Sequence, residues 1–224
     1  MMGQLGPTHF DPDRLALEVA NQMFGRSGFN SILMKELRVK RGFTYGAYSS
    51  FSFSQAPGTF SFSYSTRQDQ LLDSIQVAHQ TLINFVSQPI NPKQLEETKA
   101  GMLRAFPNNY SSNASINAQL GSLGFYNQPA DYLSNYPKLL EKITLQDVQN
   151  ALQKHLHPEC LTIIVVNDKL DKAALETTLK QDLSPQVHSN TPSVEPIPKT
   201  IIAPPAKEVT DEPVSSPDDA LASI

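Results

Sequence analysis

Five histidines, at positions 9, 79, 155, 157 and 188, are the first place to look for hydrolytic or metal chemistry in this sequence. A zinc hydrolase built on paired imidazoles needs two histidines one helical turn apart with a carboxylate beside them, as in HExxH or its inversion HxxEH. Neither string occurs; His79 is followed by QTLI and has neither the second imidazole nor the acid. The run His155-Leu156-His157-Pro158-Glu159-Cys160 is the one local grouping of metal-ligating types. Its two imidazoles suit a strand, but the residues before them read as a helix end, which splays the rings apart, and a histidine there ordinarily complements the helix dipole. HPEC also imitates the HxE half of a zinc deaminase, whose PCxxC half is impossible with a single cysteine. GxGxxG, GxxxxGK[ST] and GxSxG are absent too, so phosphate cradles and nucleophile elbows have no support. No metal ligand and no general base is assigned to this chain.

The richer stretch is FGRSGFNSILMKELRVKRGFTYGAYSSF, residues 24–51. It joins a glycine-bounded turn, a short amphipathic helix ending in Arg38, Lys40 and Arg41, and a strand starting at Tyr45. An arginine at a helix end is commonly solvated or compensates the dipole, and a strand tyrosine is commonly half-buried packing. Lys40 and Arg41 read as surface charges.

The elements around it follow from periodicity. Residues 11–25 predict a helix with Asp11 as N-cap, Pro12 at the first position and Gly25 as C-terminal cap. A second helix over about 30–40 ends before Gly42. The period then drops to 2: Tyr45, Ala47, Ser49, Phe51 and Phe53 alternate with small polar residues, as do Phe60, Phe62 and Tyr64. This predicts a β-hairpin joined at residues 55–58, its aromatic face in the sheet core and its serine face open to another layer or an extended ligand. Helices follow over about 68–86 and from Pro92 to Pro107, then over 115–155 in pieces interrupted by Pro129 and Pro137 and restarted at Thr144. The apolar run 160–166 predicts a buried strand with Cys160 as a buried thiol, and residues 172–181 a last helix. The opening MMGQLG reads as the end of a strand with no lead-in, so the chain reads as a fragment whose upstream half is missing. The fold class is α+β: a two-layer domain in which a mainly antiparallel sheet, including the hairpin, packs against several helices.

Composition divides the chain. Of its 224 residues, 1–183 carry balanced charge, whereas 184–224 hold Lys199 and Lys207 against six acids and so account for the net −4. That tail also holds eight of the 17 prolines and no aromatic residue, and reads as a disordered acidic extension or linker. A neutral body gives no electrostatic footprint for nucleic acid or an anionic membrane. One cysteine excludes an internal disulfide, and no apolar run approaches the roughly 18 residues of a spanning helix. No signal peptide is evident; a periplasmic address would have to come from an upstream half.

Within residues 24–51, Ser31, Leu33, Glu36, Leu37, Arg38, Gly42 and Tyr45 follow the pattern SRLxxELRxxxGLxY, with Phe43 in place of its leucine. With the helix-strand layout over residues 1–182, this resembles the carboxyl-terminal, non-zinc half of the insulinase/pitrilysin peptidases, inverzincins that include bacterial short members and mitochondrial processing-peptidase subunits. The chain departs from the pattern at Ile32, where the family has arginine, and in the turn Gly25-Arg26-Ser27-Gly28, which replaces a GGG-like sequence. The resemblance implies that zinc and HxxEH lie in a homologous amino-terminal half, fused or separate. It also implies that Arg38 and Tyr45 face that site, where they hold the carbonyl of an unstructured peptide and stabilise its oxyanion while zinc and its glutamate activate water. The alternative it implies is a non-catalytic structural or interaction subunit of the same fold, as some relatives in respiratory complexes are.

Overall fold

The computed structural model describes residues 1–167, 173 and 175–177. The tail 184–224 lies outside the described residues, as does most of the helix expected over 172–181, of which 173 and 175–177 are helical. The architecture is α+β. Four antiparallel strands, β1 (Met2–Gly6), β2 (Ala47–Ser52), β3 (Gly58–Tyr64) and β4 (Thr162–Ile163), form one sheet in the order β2-β3-β1-β4. Its helices are α1 (Arg14–Asn21), α2 (Leu71–Ser87), α3 (Pro92–Ala105), α4 (Asn113–Phe125), α5 (Tyr132–Lys142) and α6 (Leu145–His155).

The period-2 reading of the hairpin fixes which residues meet. Ser49 pairs with Phe62, Phe51 with Phe60 and Met2 with Phe62, so one face of the sheet carries Met2, Phe60 and Phe62 into the core. Phe24, from the π-helical turn Gln22–Arg26 that extends α1, packs edge-on to Phe62 at 5.6 Å and stacks with Phe85 of α2 at 5.1 Å. Three elements distant in sequence are thereby joined around aromatic rings whose burial contributes roughly 2–3 kcal/mol each. The other sheet face, with Tyr48, Ser50, Ser52, Thr59 and Ser63, is exposed, and none of the four strands carries a charged residue.

Several local expectations are corrected. Asp11 does not cap α1; its carboxylate accepts from the Asp13 amide at 2.9 Å, closing a turn of its own, and the helix begins at Arg14. Gly25 is not a C-terminal cap but a point of close approach: it is buried in the π-helical turn, and a β-carbon there would lie 2.6 Å from the Ser49 amide nitrogen. Pro137 does not interrupt α5. The helix runs through it, held on either side by Tyr136 stacked on Phe106 at 4.9 Å and by fully buried Leu140. The run 160–166 is not a buried strand. β4 is a two-residue strand at the sheet edge, where Leu161, Ile163 and Val165 pack against the core while Ile164 and Val166 are exposed, and Cys160 is an exposed thiol in the turn Pro158–Cys160. One face of this antiparallel sheet is open to solvent, so alternation replaces uniform burial.

α1 and α6 are tied where α1 begins. The Asp13 carboxylate lies 2.7 Å from the Lys154 ammonium and 3.0 Å from His155 Nε2. The hydrogen bond from Lys154, reinforced by His155 and the charge of both, holds the Asp13 carboxyl below its ordinary value. Its contribution to stability is therefore present above the ordinary carboxylate value of about 3.9 and lost as the pH falls through the lower folded-state value. Asp13→Asn is expected to cost up to about 1 kcal/mol at pH 7, since the pair is partly exposed. Urea midpoints of variant and wild type should converge below about pH 3.9; a gap that persisted into strong acid would contradict the assignment.

Candidate functional site

The site is assembled where a helix is forced to stop. Ser31, fully buried, accepts from the Met34 amide at 3.3 Å and so caps the helical segment that ends in the π-helical turn Met34–Val39. Leu33 and Leu37 anchor its inner face. At its end Gly42, at φ +65°, reverses the chain in the left-handed region that disfavours a β-carbon; its amide reaches the Arg38 carbonyl at 2.9 Å, and that of Phe43 the Leu37 carbonyl at 2.8 Å. Thr44, buried, fixes the next bend: its Oγ1 accepts from the Gly46 amide at 3.1 Å and donates to the Gly46 carbonyl at 2.8 Å. The chain then enters β2 with Ala47 in the core.

This bend decides how Arg38 and Tyr45 meet. A terminal guanidinium nitrogen of Arg38 donates to the Tyr45 carbonyl at 2.6 Å, while the plane's carbon lies 4.4 Å from the centre of the Phe29 ring. The Tyr45 side chain is 93% exposed, and among the described residues its hydroxyl has no hydrogen-bond partner. Half-buried packing is thus not its role.

The electrostatics of the turn leave Arg38 without a counter-ion. Glu36, on the same helical segment, is taken by Lys40 at 2.5 Å and by Arg41 at 2.7 Å. Its burial alone would raise the carboxyl, but the hydrogen bonds and charges of Lys40 and Arg41 outweigh that and hold it below its ordinary value. Among the described residues no carboxylate pairs with Arg38. The remaining guanidinium N–H groups are available to an acceptor from outside, such as a carbonyl or carboxylate oxygen. Lys40 and Arg41 are exposed, as the sequence suggests, but they act together to occupy Glu36. Ile32, at the motif's arginine position, packs half-buried against the core rather than reaching outward.

The residue missed by sequence reasoning is Phe29, 62% exposed on the turn Gly28–Asn30. Its signal was present: an aromatic side chain directly after a glycine, in a polar turn, belonging to no helical or strand stripe.

Among the described residues one cluster brings metal-ligating side chains together. Asp11, Asp13 and His155 bring ligating atoms within 4.8 Å of one another, but Asp13 already holds the Lys154 ammonium. The grouping of His155, His157 and Cys160 is not brought together: His155 turns to Asp11 and Asp13, His157 lies 3.6 Å from Glu159, and Cys160 is exposed.

Residues 1–102 match the family model of the peptidase M16 inactive domain. A solved peptidase M16 inactive domain from Pseudomonas fluorescens is 34% identical, with a TM-score of 0.67 over 71% of this chain and 38% of that one. An inactive peptidase domain from Bordetella parapertussis shares the fold at 19% identity and a TM-score of 0.61, covering 75% of this chain and 93% of its own. The curated Helicobacter pylori protein YmxG, described as a non-peptidase homolog, is 22% identical over 145 residues; the match takes in 63% of this chain and 33% of that protein. This chain thus spans about a third of that relative's length. The family model runs through the helix, the Arg38–Tyr45 turn and the hairpin, and with the α+β fold shared with these structures, residues 1–102 match the inactive domain of the peptidase M16 family.

Proposed function

We propose that this domain is the substrate-binding half of a zinc metalloendopeptidase whose metal and HxxEH sequence belong to a homologous partner or fused half. The observation that supports it is the Arg38–Tyr45 turn: a guanidinium and a phenol that have no carboxylate or hydroxyl partner among the described residues, both presented by a bend fixed through Gly42 and Thr44. Both groups donate hydrogen bonds, and both suit an acceptor oxygen that gains negative charge as an amide is attacked. Arg38 would hold the peptide carbonyl through its free N–H edge, since its other edge is committed to the Tyr45 backbone. Tyr45 would donate from the opposite side of the turn and orient the same carbonyl. Neither residue activates water; in this reading that step belongs to the HxxEH-bearing half.

The test is reconstitution. The full chain alone should leave an internally quenched, unstructured peptide intact and bind no stoichiometric zinc. Mixed with an HxxEH-bearing half of the family, it should support cleavage that a chelator abolishes. Chelator-sensitive cleavage by the isolated chain would overturn the composite-site reading.

A second reading, a non-catalytic structural or interaction subunit, is favoured by the non-peptidase description of the Helicobacter pylori relative. The two part on whether Arg38 and Tyr45 matter to turnover.

A further inference from the structure

We propose that Phe29 is a positioning residue for Arg38, an aromatic plate that fixes the plane of the guanidinium so that a single donor edge faces outward. This rests on the substrate-binding reading only for its consequence in turnover; the clamp itself stands on the geometry. An arginine side chain at a helix end has four rotatable bonds, and holding it costs rotamer entropy unless contacts compensate. A carboxylate is the usual partner, but Glu36 is occupied by Lys40 and Arg41. Arg38 is instead held by two contacts that leave its charge uncancelled, the Tyr45 carbonyl at 2.6 Å on one edge and the Phe29 ring at 4.4 Å against its face. Together they define both position and plane, which neither does alone.

The turn delivers that ring. Gly28, at φ +60°, redirects the chain after the π-helical turn, and the Ser31 amide closes back onto the Gly28 carbonyl at 3.0 Å. Phe29 is thereby put outside the core, 62% exposed, where its burial cannot explain its presence. Its ring centre lies 4.4 Å from the guanidinium carbon of Arg38, which has no carboxylate partner among the described residues, and the cation–π contact gives the exposed ring a role. This also gives the departure of GRSG from a GGG-like turn a role: its last glycine makes the bend that places Phe29.

The experiment uses the full chain, isotopically labelled, with the Arg38 side-chain resonances read by NMR. In the wild type they should be displaced upfield by the Phe29 ring current. Phe29→Leu should abolish the displacement without moving the thermal midpoint, and Phe29→Trp should restore it. In the reconstituted pair, Phe29→Leu should lower kcat by about 2- to 5-fold with KM nearly unchanged, as loss of one exposed cation–π contact predicts, and Phe29→Trp should recover it. Arg38 resonances unaffected by Phe29→Leu would overturn the clamp. If the displacement vanishes as expected but Arg38→Ala leaves turnover intact, the clamp stands and the substrate-binding reading fails.

Discussion

Arg38→Ala is expected to lower kcat of the reconstituted pair by about 10²-fold, the usual effect of removing one charge-stabilising donor from an acyl-transfer site. The loss should fall on kcat more than on KM, because the donor gains most when the carbonyl oxygen becomes an oxyanion. Arg38→Lys should not rescue it. An ammonium is a point donor that cannot bond the Tyr45 carbonyl, keep the contact with Phe29 and still present a planar donor edge. Tyr45→Phe removes only a hydroxyl that is exposed and unbonded among the described residues, so any loss of turnover would report on substrate rather than on folding. The pair of variants therefore separates the two readings of this domain. Steady-state kinetics in which both leave kcat and KM unchanged would establish the non-catalytic subunit instead.

Gly25→Ala is expected to be strongly destabilising. A β-carbon at Gly25 would sit 2.4 Å from the Ser49 Oγ and 2.6 Å from the Ser49 amide nitrogen, and the second of these is backbone within the sheet. It cannot rotate away. Ser49 Oγ also donates to the Asn21 side-chain oxygen at 2.6 Å with both residues buried, so displacing β2 breaks a bond that has no replacement from water. Overpacking typically costs 1–3 kcal/mol and a disrupted buried hydrogen bond about as much again. A total near 3 kcal/mol corresponds to a fall of roughly 6–12 °C in Tm for a domain of this size. The effect should be partly relieved in Gly25→Ala/Ser49→Gly, which removes the opposing side chain but leaves the amide. A Gly25→Ala variant melting within a degree or two of wild type would show that the π-helical turn has room to move.

How much of this was legible beforehand depends on whether the cause was local. The hairpin was legible because alternation along residues 45–64 is a property of consecutive residues: a strand with Phe60 and Phe62 on one face can bury that face in only one way. α3 was legible because Pro92 marks its start, and Asn91 caps it by accepting from the Lys93 and Gln94 amides. The motif residues were legible as a set, but not their separate duties. Ser31 is a buried cap, Leu33 and Leu37 are core, Glu36 is a clasp for Lys40 and Arg41, and Arg38 and Tyr45 face outward.

What failed was decided at a distance. Gly25 looked like a helix cap because it follows an apolar stripe; its real constraint is Ser49, 24 residues on and across the sheet. The run after Cys160 looked buried because it is apolar, but whether a strand is central or at an edge depends on how many neighbours pair with it, and here only β1 does. Lys99 is a further case. It looks like an ordinary surface lysine in LEETKAG, yet it is only 8% exposed and its ammonium donates to the Glu141 and Ile143 carbonyls at 2.8 and 2.9 Å, satisfying the end of α5.

The sequence by itself determined the α+β class, the outline of the hairpin and helices, and the absence of HxxEH, because periodicity and short motifs are carried by neighbouring residues. Only the tertiary structure decided that no carboxylate among the described residues pairs with Arg38, that Tyr45 is exposed, and that Phe29 lies against the guanidinium. Those are facts about charge and exposure, which depend on what the folded chain brings near a side chain and what it keeps away.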